Sequence, residues 1–135
     1  MNRLNCKHKE FDIISKEETY TVKGETITII ARVKVCRTCK EELFDMRLDS
    51  ENLKKAYDIY RKRHNIMMTE EIIALRKKYG LSQRDFANII GCTQATVVRY
   101  EKGAIPNETY NNILKLLANP DNMKKEKIKN TVSIR

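Results

Sequence analysis

Two kinds of hydrophobic pattern divide the chain, and the first is typical of β-strands. Between Phe11 and Val35 the residues are rich in Thr, Ile, Val and Tyr, and Thr26 to Val35 partly alternates apolar and polar positions. The segments on either side of Lys23-Gly24 are expected to pair as an antiparallel hairpin, because glycine adopts a positive φ at little cost. The chain then reaches Cys36-Arg-Thr-Cys39, so the pattern places a Cys-x-x-Cys turn at a strand end.

A helix is predicted after this turn. Ser50 is expected to cap it, and apolar residues at helical spacing predict one apolar face, made of Leu53, Ala56, Tyr57 and Tyr60. The basic run from Arg61 to His64 suits a helix C-terminus, because positive charge interacts favourably with that end of the helix dipole. We therefore expect a first domain over residues 1–65.

The second pattern is helical and carries its own start and stop signals. Residues of the N-cap type precede four stretches of helical spacing, and they are Thr69, Ser82, Thr93 and Asn107. A glycine follows each of the first three stretches, where a helix commonly ends in a left-handed residue: Gly80, Gly91 and Gly103. Four helices are thus expected in a second domain over residues 66–120, followed by a basic tail over residues 121–135.

Size and charge narrow the possible partners. A chain of 135 residues is long enough for one ordinary domain or two very small ones. Lys and Arg number 27 against 18 Asp and Glu, a net charge of +9, which favours nucleic acid as a partner and an anionic membrane second. No apolar run approaches the roughly 20 residues that cross a bilayer, and the first residues lack a signal-peptide core. A cytoplasmic protein with no membrane partner is expected.

The stretch from Gln83 to Tyr100 has the residue pattern of a helix-turn-helix. The small side chain of Ala87 lies where the first helix would cross the second, and Gly91 lies in the turn between them. Four side chains are expected to face inward: Phe86, Ile90, Val97 and Tyr100. The outward positions of the second helix suit bases and phosphates: Thr93, Gln94, Ala95, Val98 and Arg99. The same pattern also fits a helical hairpin that does not bind DNA.

Residues 81–103, LSQRDFANIIGCTQATVVRYEKG, resemble the Xre or lambda-repressor-like helix-turn-helix family. The resemblance implies that Ser82 and Gln83 meet phosphate, and that four residues face base edges: Gln94, Ala95, Thr96 and Arg99. One reading helix makes few base contacts, so a homodimer on a near-palindromic site in double-stranded DNA is expected. The helix from Glu108 to Ala118 either forms the dimer surface or only closes its own bundle.

Over nearly its whole length the chain resembles the MqsA or YgiT-type antitoxin family. The shared features are N-terminal cysteine, a strand pair with a Val-Lys-Gly-Glu turn, Cys36-x-x-Cys39, a helix and the helix-turn-helix. The resemblance implies an N-terminal zinc-binding domain that contacts a toxin, and a C-terminal domain that binds DNA and dimerises. The expected fold class is α+β, with a small zinc-ribbon-like β unit followed by an all-α lambda-repressor-like helix-turn-helix domain.

The metal site leaves two interpretations open. Cys36 and Cys39 have a spacing that lets both thiolates bind one ion, whereas the family's second Cys-x-x-Cys is interrupted here by Lys9. Either His8 completes a structural zinc site with Cys6, Cys36 and Cys39, or the cysteines are reduced thiols without metal. A closed shell of four ligands leaves no position for reactive water, so an enzyme is not expected.

The helix-turn-helix pattern predicts a DNA-binding transcriptional regulator, and the family resemblance implies an antitoxin-type repressor that controls its own promoter. The alternative is a protein-interaction module whose N-terminal domain neutralises a toxin, with DNA binding secondary.

Overall fold

The computed structural model describes residues 6–119, and the predicted basic tail, residues 121–135, lies outside them. Within the described range the elements follow the order β1 (Phe11–Val22), β2 (Glu25–Cys36), β3 (Glu42–Leu43), α1 (Met46–Arg63), α2 (Thr69–Lys78), α3 (Gln83–Ile90), α4 (Gln94–Glu101) and α5 (Glu108–Leu117). The chain divides into two compact units between Tyr60 and Arg61. The predicted α+β class is confirmed, since a small antiparallel sheet precedes the helices.

The sheet of the first unit is built on a long hairpin. β1 and β2 pair antiparallel from Phe11 opposite Cys36 to Val22 opposite Glu25. Lys23 and Gly24, the two turn residues, have φ values of 47° and 82°. Positive φ at both positions gives a turn whose twist matches that of the strands, which is why glycine is favoured there. The predicted hairpin is confirmed, and short β3 extends the sheet beside the end of β2.

One face of β2 alternates into the core of this unit, where Ile27, Ile29 and Ala31 are buried. Helix α1 is joined to the same strand by hydrogen bonds. The side chain of Asn52 accepts the N–H of Arg32 (3.0 Å) and donates to its carbonyl (2.8 Å), so it pairs with the strand edge as another strand would. Asn52 is only 1 % exposed.

Two details of the predicted helix are wrong. α1 begins at Met46 rather than after Ser50, and Asp45 caps it by accepting the N–H of Leu48 (3.0 Å). Leu53, predicted on the inner face, is 45 % exposed, while polar Asn52 is buried. The physical reason is that this helix meets an open strand edge, whose backbone groups require a hydrogen-bonding partner.

Replacing Asn52 with Ala is expected to destabilise the protein by about 1–3 kcal/mol, because it leaves the part-buried N–H and carbonyl of Arg32 without their partner. Urea unfolding followed by circular dichroism measures this change. Glu51→Ala is the matched control, because its carboxylate contacts the Arg32 guanidinium in an exposed ion pair worth less than about 1 kcal/mol. Equal losses for the two variants would contradict the role given to Asn52.

The second unit places α2 to α5 around one apolar core. All four side chains predicted to face inward from α3 and α4 are buried: Phe86, Ile90, Val97 and Tyr100. The caps Ser82, Thr93 and Asn107 are confirmed, each accepting a backbone N–H of the first helical turn. Thr69 is not a cap but the first residue of α2, whose N-cap is Met68. The three glycines predicted to end helices all have positive φ: Gly80, Gly91 and Gly103.

Helix α5 packs into the core of its own unit through Leu114 and Leu117. Its buried Asn111 accepts the N–H of Met67 (3.0 Å) and donates to the carbonyl of Asn65 (3.2 Å). The segment before α2 is therefore tied to α5 within this unit.

Candidate functional site

Four predicted ligand residues come together at one end of the hairpin. One ligand atom from each of Cys6, His8, Cys36 and Cys39 lies within 4.8 Å of all the others. The Sγ atoms of Cys6 and Cys36 are 3.5 Å apart, and Cys39 Sγ is 3.5 Å from His8 Nδ1. All three cysteines are free thiols, and Cys36 is buried. The arrangement is compatible with a metal site and fits a zinc-ribbon fold.

Backbone hydrogen bonds shape the loop that carries two of these cysteines. The N–H of Cys36 donates to the carbonyl of Glu41, and the N–H of Lys40 donates to the carbonyl of Cys36, both at 2.9 Å. Lys40 has a φ of 66°, so the chain reverses sharply after Cys39. This tight loop directs both thiols of Cys36-x-x-Cys39 to the same point.

The other two candidate ligands reach the cluster from the residues before β1. The hairpin is extended by the N–H of Arg37, which donates to the carbonyl of Glu10 (3.0 Å). His8 has a φ of 51°, in the left-handed region. This sharp local bend accommodates a Cys-x-His spacing that is one residue shorter than the usual gap between paired ligands.

The electrostatics of the cluster favour a thiolate. Hydrogen bonds from the backbone N–H of Cys39 and from His8 lower the pKa of the Cys36 thiol to about 6. Burial raises the pKa of the Cys39 thiol. The lowered pKa favours the thiolate form of Cys36, which is the form of cysteine that binds metals.

A carboxylate that the sequence analysis missed lies beside this cluster. Glu41 Oε2 is 3.6 Å from His8 Nε2, the ring nitrogen that faces away from Cys39. No pattern in the sequence distinguishes Glu41 from Glu42, whose side chain instead pairs with Lys16.

The residues predicted to contact DNA lie on α3 and α4. Ser82 and Thr93 cap these helices, with hydroxyls that accept the N–H groups of Asp85 (3.0 Å) and Thr96 (3.2 Å). Gln83, the first residue of α3, is half-buried. Along α4, Gln94, Ala95 and Arg99 are exposed, while Thr96 and Val98 are half-buried. The guanidinium of Arg99 donates to the Thr96 hydroxyl (2.9 Å), so one turn of the helix presents the two polar groups together.

An ion pair between α2 and α4, formed by Arg76 and Glu101, was not predicted from the sequence. The carboxylate of Glu101 accepts two hydrogen bonds from Arg76 (2.7 and 3.0 Å) and one from Gln83 (3.3 Å). Arg76 also donates to the carbonyl of Leu81 (2.9 Å). The Arg76 and Glu101 side chains are 16 % and 9 % exposed, and hydrogen bonding to Glu101 raises the pKa of Arg76. The pair connects α2, α3 and α4, and it also holds the Gln83 side chain.

The family model of the MqsA antitoxin, described as the antitoxin component of a bacterial toxin-antitoxin system, matches residues 1–126. The chain belongs to this family. The match covers every residue that the structure describes, and it confirms the resemblance that the sequence predicts. No curated protein matches the chain.

Membership of the MqsA family gives the chain a role in a toxin-antitoxin system and implies a toxin as its partner. Antitoxin families of this kind are generally non-enzymatic. Among the described residues, no helix has both the length and the hydropathy needed to cross a bilayer.

Proposed function

We propose that this MqsA-family antitoxin is a sequence-specific repressor that binds a palindromic operator as a homodimer and acts on its own promoter. The observation that carries the proposal is that one side of α4 is apolar and buried while the other is polar and exposed. Val97 and Tyr100 are buried in the core, whereas Gln94 and Arg99 project polar side chains into solvent from the other side of the same helix. A helix supported in this way can enter a major groove without losing its packing.

The exposed side chains suit particular bases. Gln94 can form two hydrogen bonds with adenine, and Arg99 can form two with guanine. Arg99 is already oriented by Thr96, so less side-chain entropy is lost when it meets a base. Ala95 and Val98 are small and apolar, as contact with a thymine methyl requires.

Phosphate contacts are assigned to the helix N-termini. Ser82, Gln83 and Thr93 lie where backbone N–H groups and the helix dipole favour an anion. The net charge of +9 adds a long-range attraction to DNA, which weakens with salt. Phosphate contacts would thus set the register of α4, and its side chains would select the bases.

Dimerisation is assigned to α5. Leu116 is 61 % exposed on this helix, while Leu114 and Leu117 pack inward. A second copy of the helix would cover this apolar position and bring two reading helices to half-sites about 34 Å apart. In this scheme repression results from occupancy of the promoter, and a toxin bound by the N-terminal unit changes that occupancy.

The metal assigned to the N-terminal unit is a single structural zinc ion bound by Cys6, His8, Cys36 and Cys39. Thiolates about 2.3 Å from a tetrahedral zinc ion lie about 3.8 Å from each other. The Sγ atoms of Cys6 and Cys36 are 3.5 Å apart, and all four ligand atoms lie within 4.8 Å of one another. The donor set of three sulfurs and one imidazole nitrogen is one that structural zinc sites use. Bound zinc would supply folding energy to a unit with a small core, and its four protein ligands would leave no open position for catalysis.

Replacing Arg99 with Ala is expected to weaken binding to the cognate operator by about 5- to 150-fold, the equivalent of about 1–3 kcal/mol for one bidentate base contact. Binding-site selection with the wild-type protein identifies the operator, and titrations at two salt concentrations then separate base reading from phosphate attraction.

Lys77→Ala is the matched control, because it removes one exposed positive charge from α2 instead of α4. This variant should retain the sequence preference of the wild type. Salt-sensitive, sequence-indifferent binding by the wild-type protein would contradict the proposal.

One observation favours a second candidate function, a protein-interaction module that neutralises a toxin while DNA binding is secondary. Three apolar side chains on the same face of the β1–β2 hairpin are 44–57 % exposed: Phe11, Ile13 and Ile30. Of the three, Phe11 and Ile13 are neighbours on this face, and contiguous exposed apolar groups are typical of protein-binding surfaces. Stoichiometric copurification of a toxin, combined with sequence-indifferent DNA binding, would favour this function.

A further inference from the structure

The imidazole of His8 faces different groups with its two nitrogens. Nδ1 lies 3.5 Å from Cys39 Sγ, inside the cysteine cluster, while Nε2 lies 3.6 Å from Glu41 Oε2. A neutral imidazole that binds a metal through Nδ1 keeps its proton on Nε2. The carboxylate therefore faces the one position on the ring that has a hydrogen to donate.

Glu41 is held in this place by the same loop that carries two cysteines. The carbonyl of Glu41 accepts the N–H of Cys36 at 2.9 Å. Glu41 also lies immediately before Glu42, the first residue of β3. The backbone of Glu41 is thus fixed relative to a candidate ligand. Substitutions of its side chain leave that backbone hydrogen bond in place.

We propose that Glu41 is a positioning residue for the metal site: its carboxylate lies 3.6 Å from His8 Nε2, from where a small side-chain shift on metal binding lets it accept the Nε2–H and hold Nδ1 toward the metal. This inference rests on the proposed zinc site. Imidazole ligands commonly donate their second N–H to a carboxylate, which fixes the tautomer and ring orientation and makes the ligand more basic. The Cys6-x-His8 spacing is one residue shorter than the usual gap between paired ligands. The spacing alone therefore does not fix the orientation of the His8 ring, and a second contact is needed.

An ordinary surface ion pair would not fix the tautomer or the ring orientation of a metal ligand. The side chains of His8 and Glu41 are 29 % and 43 % exposed, and exposed pairs contribute little to stability by themselves. Glu41 differs from such a pair because its partner also faces the cysteine cluster. Its effect should therefore appear in metal affinity and in the imidazole N–H, and not in the stability of the metal-free protein.

The test compares Glu41→Ala and Glu41→Gln with Glu42→Gln in the full chain. Glu42 is the matched control because it is the adjacent residue, has a similarly exposed side chain (50 %) and pairs with Lys16 instead of His8. Zinc affinity is measured by competition with a chelator. We expect Glu41→Ala to weaken zinc binding by about 10- to 100-fold, and Glu41→Gln to weaken it less, because its amide oxygen can still accept the N–H. Glu42→Gln should bind like the wild type.

A second readout concerns the hydrogen bond itself. In the zinc-loaded wild-type protein the Nε2–H of His8 should give an NMR signal protected from solvent exchange, and Glu41→Ala should lose that protection. If Glu41→Ala matches Glu42→Gln in both affinity and exchange, the positioning role is wrong. If instead the wild-type protein binds no zinc, or His8→Ala leaves the spectrum of the cobalt-substituted protein unchanged, the proposed four-residue site itself fails.

Discussion

Replacing Cys36 with Ser is expected to abolish stoichiometric zinc binding and to remove the cooperative unfolding of the N-terminal unit. Cys36 is a buried member of the four-residue cluster and has the thiol with the lowered pKa, so its loss removes the ligand best prepared to bind. Zinc binding provides about 10–16 kcal/mol in small zinc-dependent folds, and this energy is folding energy when the unfolded chain has no site. Zinc content per chain and thermal circular dichroism measure the two effects.

Cys92→Ser provides the control for cysteine loss in general. Cys92 is a free thiol that packs partly buried against the core of the second unit, outside the cluster. This variant should keep one zinc per chain. A Cys36→Ser protein that also keeps one zinc per chain would show that the cluster is not the metal site.

Replacing Glu101 with Ala is expected to destabilise the second unit by about 3–5 kcal/mol, a large share of the total stability of a small domain. The loss leaves the mostly buried guanidinium of Arg76 without its carboxylate and releases the side chain of Gln83. Chemical unfolding monitored by circular dichroism measures the change.

The double variant Arg76→Met with Glu101→Met distinguishes the loss of an ion pair from the loss of packing. Replacing both partners of a buried pair by apolar side chains is often neutral or stabilising, so the double variant should recover much of the stability lost in Glu101→Ala. Additive losses in the two single variants and the double variant would contradict the ion-pair explanation.

Local signals account for the features that could be predicted from the sequence. The Lys23-Gly24 turn, the caps at Ser82, Thr93 and Asn107, and the glycines with positive φ each depend on the conformational preference of one or two residues. The four-residue cluster was one of two interpretations that the sequence left open, because the Cys36-x-x-Cys39 spacing is typical of zinc ligands whereas the Cys6-x-His8 spacing is not.

The features that could not be predicted depend on residues distant in sequence. Asn52 is buried because it pairs with a strand edge 20 residues away, and helical periodicity alone favoured apolar Leu53 for that face. The contact between Arg76 and Glu101 spans 25 residues and three helices. Glu41 differs from Glu42 only in the direction that the folded loop gives its side chain.

The location of the cluster has a consequence for the alignment of the hairpin strands. The two-residue turn closes one end of the hairpin, and Phe11 pairs with Cys36 at the other, next to the four candidate ligands. Residues 11–17 of β1 are all exposed, so at this end of the hairpin burial discriminates only weakly between neighbouring alignments, whereas the buried residues of β2 fix the alignment nearer the turn. Ligands from both strand ends on one ion would turn the hairpin into a closed ring. In such a ring β1 cannot shift along β2 without breaking either the turn or a metal–ligand bond. The bound ion would therefore fix the alignment of the two strands.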